Sequence, residues 1–415
     1  MNIEITPEYE KVLKCIEQRI TPVFISGAGG SGKSTLIHYI KRKYKNVALT
    51  APTGIAALNI GGVTLHSFFS IPPRIITKFD KDKLKPKDVI AVTEILIIDE
   101  ISMVNANMLD TIEYLLRLSK RNNKPFGGIP VLMFGDLYQL PPVVTSETEK
   151  FFRTQYGSPF FFSANIFKTV KLTTVELTKV FRQKDDKFIE ILNNVRKGID
   201  IDKTIDYINS NVKITDSYDD AIVLTTTNQK CNKINNYELN KIKSEEQIYF
   251  GKIFGDFPNS MMPCDSMIDL KVGAKVICVK NIDNAVNGTI GKVLSMAENF
   301  VVIESLSDGR KIQINKVTWE NVSYVVRGYQ VANRVKGSFT QIPLKLAWAL
   351  TIHKSQSQTL QRVHIDMDKG SFASGQLYVA LSRCTSLEGI TLSRPLYSSD
   401  IIINNEVIKF YESVK

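Results

Sequence analysis

The segment GAGGSGKST (27–35) constrains this chain more than any other stretch. It follows the apolar run PVFIS (22–26) and precedes the helical pattern LIHYIKRKY (36–44), the strand–loop–helix context of a GxxxxGK[ST] phosphate loop. Glycines let successive backbone amides curl round phosphate oxygens, and the helix N-terminus adds a favourable dipole. Gly27, Gly29, Gly30, Ser31, Gly32 and Thr35 then form a cradle for ATP. Lys33 neutralises the β- and γ-phosphates, and the Ser34 hydroxyl holds Mg²⁺. A chain built around this unit is expected to be α/β with parallel strands.

Three further runs, NVALTAP (46–52), EILIIDE (94–100) and PVLMFGD (130–136), are apolar at consecutive positions. That is the pattern of strands covered by helices on both faces. Ligands in such sheets sit beyond the carboxyl ends of the strands. Asp99 ends one of these runs and is placed to bind Mg²⁺ through water, with Glu100 beside it to polarise an attacking water. GDLYQLPPV (135–143) follows the next run, where Gln139 can hydrogen-bond the γ-phosphate and report its loss. Transfer of a phosphoryl group also needs positive charge on it. The candidates are Arg182 in VFRQ and Arg383 in YVALSRC, which reach ATP only if the two halves of the chain face each other.

The chain has 415 residues, 43% hydrophobic and 23% charged, the balance of a folded globular protein. The length fits two to three domains at about 150 residues each. No apolar run approaches the ~20 residues of a membrane helix. The opening MNIEITPEYE lacks a signal-peptide core or Arg-rich transit pattern, so an intracellular location is expected. The five cysteines form no CxxC pair and read as reduced core thiols. Fifty-three Lys and Arg against 42 Asp and Glu leave a formal charge of +11. This favours an anionic partner, of which nucleic acid is the commonest, although a mildly basic surface explains the charge equally well.

The first α/β unit is expected over residues 1–174, with a Pro- and Lys-rich insertion at about 70–92. A second α/β unit spans 175–269 and 336–415, with a helix at FIEILNNVRKG (188–198) and a strand at AIVLTTTN (221–228). Short alternating strands with Gly turns over 270–335 read as a small β insertion. On motifs alone three functions compete: an ATP-driven motor, a nucleic-acid clamp that uses ATP to switch affinity, and a small-molecule kinase.

The order of motifs adds a resemblance. APTGIAA (51–57), TLHSFF (64–69), IIDEISMV (97–104), GDLYQLPP (135–142), LTKVFRQ (177–183), LAWALTIHKSQ (346–356) and GQLYVALSR (375–383) make the chain similar to the PIF (petite integration frequency) family of DNA helicases. That family lies in the RecD-like 5′→3′ branch of superfamily 1. The stretch from Met103 through Leu109 and Asp110 to PFGG (125–128) separates it from other helicases. The resemblance implies two RecA-like domains sandwiching ATP, a wedge-bearing first insertion and an SH3-like second one. It implies a monomer that tracks single-stranded DNA and opens forked or 5′-tailed duplexes in replication, repair or recombination. G-quadruplexes and DNA–RNA hybrids stay open as further substrates. By position, DNA contacts come from Pro52, Thr53, Thr64, His66, Thr227, Asn228, His353, Lys354 and Ser355. Tyr9 and Glu10 stand where the family carries an adenine-reading Gln, so Tyr9 is expected to stack on the base. Ser357 stands where the family has Gly.

Overall fold

A computed structural model describes residues 4–414 except Asp82, Lys184, Asp219, Asp220, Asn284 and Ser357, and without the side chains of Phe79 and Lys81. The departure noted at Ser357 therefore lies outside the described residues. Six strands, β1 (Val23–Gly27), β2 (Val47–Ala51), β3 (Val63–Thr64), β4 (Ile95–Ile98), β5 (Val131–Gly135) and β6 (Thr173–Leu177), make a sheet of order β3-β2-β4-β5-β1-β6. Every pairing in it is parallel. β1, β2, β4 and β5 are buried along their whole length, as consecutive apolar residues require when helices cover both faces. The phosphate loop leaves β1, which lies between β5 and the edge strand β6.

A second parallel sheet has the order Ala349–Thr351, Ile222–Thr225, Val363–Asp366, Ile390–Leu392, Lys213–Ile214. The helix Asp186–Lys197 packs on it through Phe188, Ile191, Leu192 and Val195. Asp185 caps the start of that helix, and Gly198 in a left-handed conformation ends it. The fold is α/β with two parallel sheets, as the apolar runs indicated.

Between the sheet strands Ile222–Thr225 and Ala349–Thr351 lies antiparallel structure. A five-stranded sheet is built from short strands at 275–278, 290–296, 300–305, 311–315 and 344–346. A long hairpin, Val317–Arg327 and Gln330–Gln341, leaves it and reaches the first sheet. β3 is only two residues long and pairs with Thr50 and Ala51 alone, so the edge of β2 is open at Leu49. The Leu49 N–H donates instead to the Tyr324 hydroxyl of the hairpin, at 3.2 Å. Tyr324 also meets Phe68 edge-on at 5.8 Å, and Val322, Val326 and Val331 join the same core. The chain's last helix, Asn405–Ser413, likewise crosses back to the first sheet. Phe410 stacks on Phe162 with centroids 4.4 Å apart, and Tyr411 stacks on Tyr138 at 4.9 Å.

The stretch from Met103 to PFGG is structural. Asp110, buried in the helix Ala106–Lys120, accepts hydrogen bonds from the Asn165 N–H, the Asn165 side-chain amide and the Ile166 N–H at 3.1, 2.9 and 3.2 Å. One helix turn on, Glu113 accepts from Arg117 at 2.7 Å and from the Phe126 N–H at 3.4 Å, fixing PFGG against the helix end. Removing the Asp110 carboxylate takes a charged acceptor from three donors, two on the exposed Asn165 and one on the half-buried Ile166. Asp110→Ala is therefore expected to lower unfolding free energy by about 2–3 kcal/mol, measured by chemical denaturation; an unchanged midpoint would contradict this role.

Candidate nucleotide and nucleic-acid site

The phosphate loop adopts its curl through two left-handed glycines, Gly30 (φ 88) and Gly32 (φ 86). A Cβ on Gly30 would also lie 2.5 Å from the Arg182 Cβ, so that glycine lets VFRQ lie against the loop. The Phe181 N–H donates to the Gly30 carbonyl at 2.9 Å. Lys33 folds back, its Nζ donating to the carbonyls of Gly27 (2.7 Å) and Ala28 (3.0 Å). Burial pushes its pKa down, and Asp136, Glu100 and Asp99 oppose that shift. Ser31 Oγ is buried without a partner, an orphan of the kind a phosphate oxygen satisfies.

Asp99 and Glu100 follow β4 directly. Burial pushes both carboxyls up, Glu100 to about 7 with Asp99 adding to the effect. Among the described residues no group of three or more His, Cys, Asp or Glu is arranged to hold a metal. Mg²⁺ commonly uses one or two protein ligands plus substrate phosphates, and Ser34 with Asp99 supplies that donor set. Gln139 lies in the same cavity, which has a volume of about 910 Å³ and is lined also by Ser34, Thr35 and Glu100. That volume is at the upper end for a small-molecule site.

Arg182, five residues beyond β6, and Arg383, from the far end of the chain, both line this cavity. Their guanidinium nitrogens lie 3.5 and 3.3 Å from the position a Gly29 Cβ would occupy. Neither forms an ion pair among the described residues. Burial, with Arg182 close by, holds Arg383 down to about 9. A buried and a half-buried guanidinium beside a curl of backbone amides put positive charge where an anion can be held.

The domains meet at Asp136. Its carboxylate is fully buried and accepts from Arg196 of the helix Asp186–Lys197: Nε at 3.1 and 3.2 Å, Nη2 at 2.9 Å. Burial works against the Arg196 charge, but Asp136 more than offsets it and the pKa rises. Tyr378, in the helix Gln376–Leu381 that leads to Arg383, donates to Asp136 Oδ2 at 3.2 Å and accepts from the Gly29 N–H at 3.1 Å. Gly375 (φ 77) permits this contact, since a Cβ there would lie 2.3 Å from the Tyr138 carbonyl. Gln356 donates to Gln139 Oε1 at 2.9 Å.

The predicted DNA contacts follow the carboxyl ends of strands in both sheets. Pro52 and Thr53 follow β2, Thr64 ends β3, Thr227 and Asn228 follow Ile222–Thr225, and His353 and Lys354 follow Ala349–Thr351. Thr53, Thr64 and Thr227 spend their hydroxyls on helix caps, accepting from the N–H groups of Ala56, Ser67 and Lys230. His66 is half-buried with Nδ1 on the Ile71 carbonyl. Ser355 is buried, its hydroxyl donating to the Ile352 carbonyl. Asn228, His353 and Lys354 are exposed.

Tyr9 is 2% exposed, and its hydroxyl donates to the Gly32 carbonyl at 2.8 Å. The phenol thus braces the loop from beneath. The ring open to the cavity belongs to Phe181, 45% exposed with Lys179 Nζ 5.1 Å from its centroid. Phe372 is a second exposed ring, at 64%, lying 16° from parallel to His353 with centroids 6.4 Å apart. Phe181 and Tyr378 lie inside motifs quoted above but were passed over. Arg196 and Phe372 carried no sequence signal.

A family model described as PIF1-like helicase matches residues 4–205. The chain is 31% identical over 97% of its length to an ATP-dependent DNA helicase PIF1 of Emericella nidulans. It is 30% identical to an ATP-dependent DNA helicase Pif1 of Campylobacter jejuni, over 94% of each chain. It spans 62% of the fungal relative's length. A Pif1 structure from Bacteroides sp in complex with ADP-AlF4 is similar over 99% of this chain and 97% of that one, with 38% identity and a TM-score of 0.92. The same comparison with Bacteroides Pif1 bound to ssDNA gives a TM-score of 0.71.

Arg196→Ala leaves the Asp136 carboxylate buried and unpaired. The expected loss is about 3–5 kcal/mol of stability, to be read from denaturant unfolding at pH 7. A loss under about 1 kcal/mol would mean that the pair is solvated.

Proposed function

The chain belongs to the PIF1-like helicase family, and from that premise we propose that it is an ATP-dependent DNA helicase that moves 5′→3′ on single-stranded DNA and unwinds duplexes. The observation that carries this reading is Arg383, brought from the far end of the chain onto Gly29 of the phosphate loop, where Arg182, five residues beyond β6, also lies. A nucleotide bound there touches both domains, so its hydrolysis bears on their separation.

In the proposed cycle the amides of 29–34 cradle the phosphates, and Lys33 leaves the Gly27 and Ala28 carbonyls for the β- and γ-oxygens. Ser34 and Asp99 would hold Mg²⁺, whose charge would offset that of the phosphate oxygens. Glu100 takes a proton from the water that attacks the γ-phosphorus, and ADP leaves with the bridging oxygen. Lys33, Arg182 and Arg383 offset the charge that develops on the transferring group. Gln139 senses whether the γ-phosphate is present. The adenine stacks on Phe181, in place of Tyr9. Loss of the γ-phosphate releases the two arginines, and the cleft opens.

DNA lies across the carboxyl ends of both sheets, over Pro52, Thr53, Thr64 and His66 in the first domain and Thr227, Asn228, His353 and Lys354 in the second. Ser355 supports this path from within the turn. Phe372 and His353 offer parallel rings to a base, and base–aromatic stacking is tolerant of sequence. Such contacts position a strand without reading it.

Duplexes carrying a 5′ or a 3′ single-stranded tail test the reading directly, with ATP, Mg²⁺ and Lys33→Ala as control. Opening of only the 5′-tailed duplex is expected, and Lys33→Ala should reduce phosphate release to background while still binding DNA. Opening of the 3′-tailed duplex would overturn the polarity. DNA-stimulated phosphate release without strand separation would favour the clamp. Glu100→Gln is expected to retain ATP binding and lose at least about 10²-fold in turnover, measured by single-turnover hydrolysis; wild-type turnover would remove Glu100 from its role.

A further inference from the structure

Gln139 is buried at the edge of the nucleotide cavity, and its side-chain amide has two unlike ends. The oxygen accepts from Gln356 Nε2 at 2.9 Å. The nitrogen faces Asp136 Oδ2 at 3.5 Å, the outer limit of a hydrogen bond. An amide can donate only through its NH₂ and accept only through its oxygen. With the oxygen held by Gln356, the NH₂ is the end left for an anionic γ-phosphate. Were the amide reversed, its carbonyl would oppose the phosphate charge.

Gln356 belongs to the same hydrogen-bonded turn as the exposed His353 and Lys354. The Ser355 N–H donates to the Thr351 carbonyl at 3.0 Å and the Gln356 N–H to the His353 carbonyl at 3.3 Å. The Ser355 hydroxyl donates to the Ile352 carbonyl at 2.9 Å and the Lys354 N–H to Thr351 Oγ1 at 3.3 Å. A turn closed by four such bonds moves as a unit. A strand of DNA resting on His353 and Lys354 therefore sets the position of Gln356 from the opposite side of the turn.

We infer that Gln356 is the positioning residue that couples DNA occupancy to phosphate sensing, holding the Gln139 amide with its NH₂ toward the nucleotide as DNA fixes the turn. The inference rests on the proposed helicase reading, in which Gln139 meets the γ-phosphate and the turn meets DNA. It assigns Gln356 no contact with either ligand. Coupling of this kind is reciprocal in binding: whatever factor DNA contributes to nucleotide affinity, nucleotide contributes to DNA affinity.

The test uses the full chain, with Gln356→Leu and Gln356→Glu beside wild type. ATP turnover is measured with and without saturating oligo(dT), and oligo(dT) affinity with and without ADP–aluminium fluoride. In Gln356→Leu the stimulation of turnover by DNA is expected to fall about tenfold or more, within the usual 5- to 150-fold range of coupling. The effect of the nucleotide analogue on DNA affinity should shrink by a similar factor. DNA affinity without nucleotide should stay within about twofold, because phosphate and base contacts are untouched. Gln356→Glu can only accept, so it draws the Gln139 NH₂ away from the nucleotide and should turn over more slowly than Gln356→Leu. The inference is overturned if both variants keep the wild-type stimulation factor. It is also overturned if DNA-free and DNA-stimulated rates fall in equal proportion, the signature of simple support for the fold. Wild-type protein that binds no oligo(dT), or shows no stimulation by it, would overturn the helicase reading along with this one.

Discussion

Asp136 is the contact on which the arrangement of the two domains depends. A carboxylate with no exposure is tolerable only where every lone pair is used, and the partners come from both sides of the cleft. Arg196 supplies a bidentate pair from the second domain, Tyr378 supplies a hydroxyl, and the Tyr138 N–H of the same loop closes the set at 3.2 Å. Tyr378 also binds the Gly29 N–H, so the phosphate loop, the loop after β5 and the helix that leads to Arg383 share one hydrogen-bonded centre. Aromatic rings seal it: Arg196 lies 4.9 Å from the Tyr138 centroid, and Tyr411 covers the other face of that ring cluster. Desolvating so much charge costs several kcal/mol per ion. What it achieves is a fixed geometry between groups as far apart in the chain as Gly29 and Tyr378, 349 residues.

The chain's route reinforces that joint. The hairpin Val317–Arg327 and Gln330–Gln341 completes the edge of the first sheet through Tyr324, and the final helix returns to pack Phe410 and Tyr411 on it. A hairpin that lies between strands of the second sheet in sequence, and a helix that follows all of them, thus belong in packing terms to the core of the first.

The positions of the phosphate loop, Asp99 and Glu100 were legible because each follows an apolar strand at once, and that of Gln139 because it lies four residues beyond β5. A parallel sheet brings the carboxyl ends of its strands together whatever the loops do. Asp110 and PFGG were legible as a family mark but not as a role. Their work is to fix the helix Ala106–Lys120 against residues 165–166 and the chain at Phe126, and a hydrogen bond to a segment 55 residues away leaves no local trace. Tyr9 shows a related limit. Its place before the phosphate loop suggested a stacking face, while packing buried the ring and gave its hydroxyl to Gly32. The exposed ring, Phe181, sits 172 positions later.

The sequence by itself determined the α/β class, the nucleotide cradle and the order of the motifs, because these are set by local periodicity and by short loops whose backbone geometry needs particular residues. Only the tertiary structure decided which groups face one another across the cleft. The Asp136–Arg196–Tyr378 centre, the Gln139–Gln356 contact and the closing of β2 by Tyr324 join residues remote in the chain. Pairing of that kind is chosen by burial, where an unpaired polar group costs more than it does in water, and no spacing along the sequence encodes it.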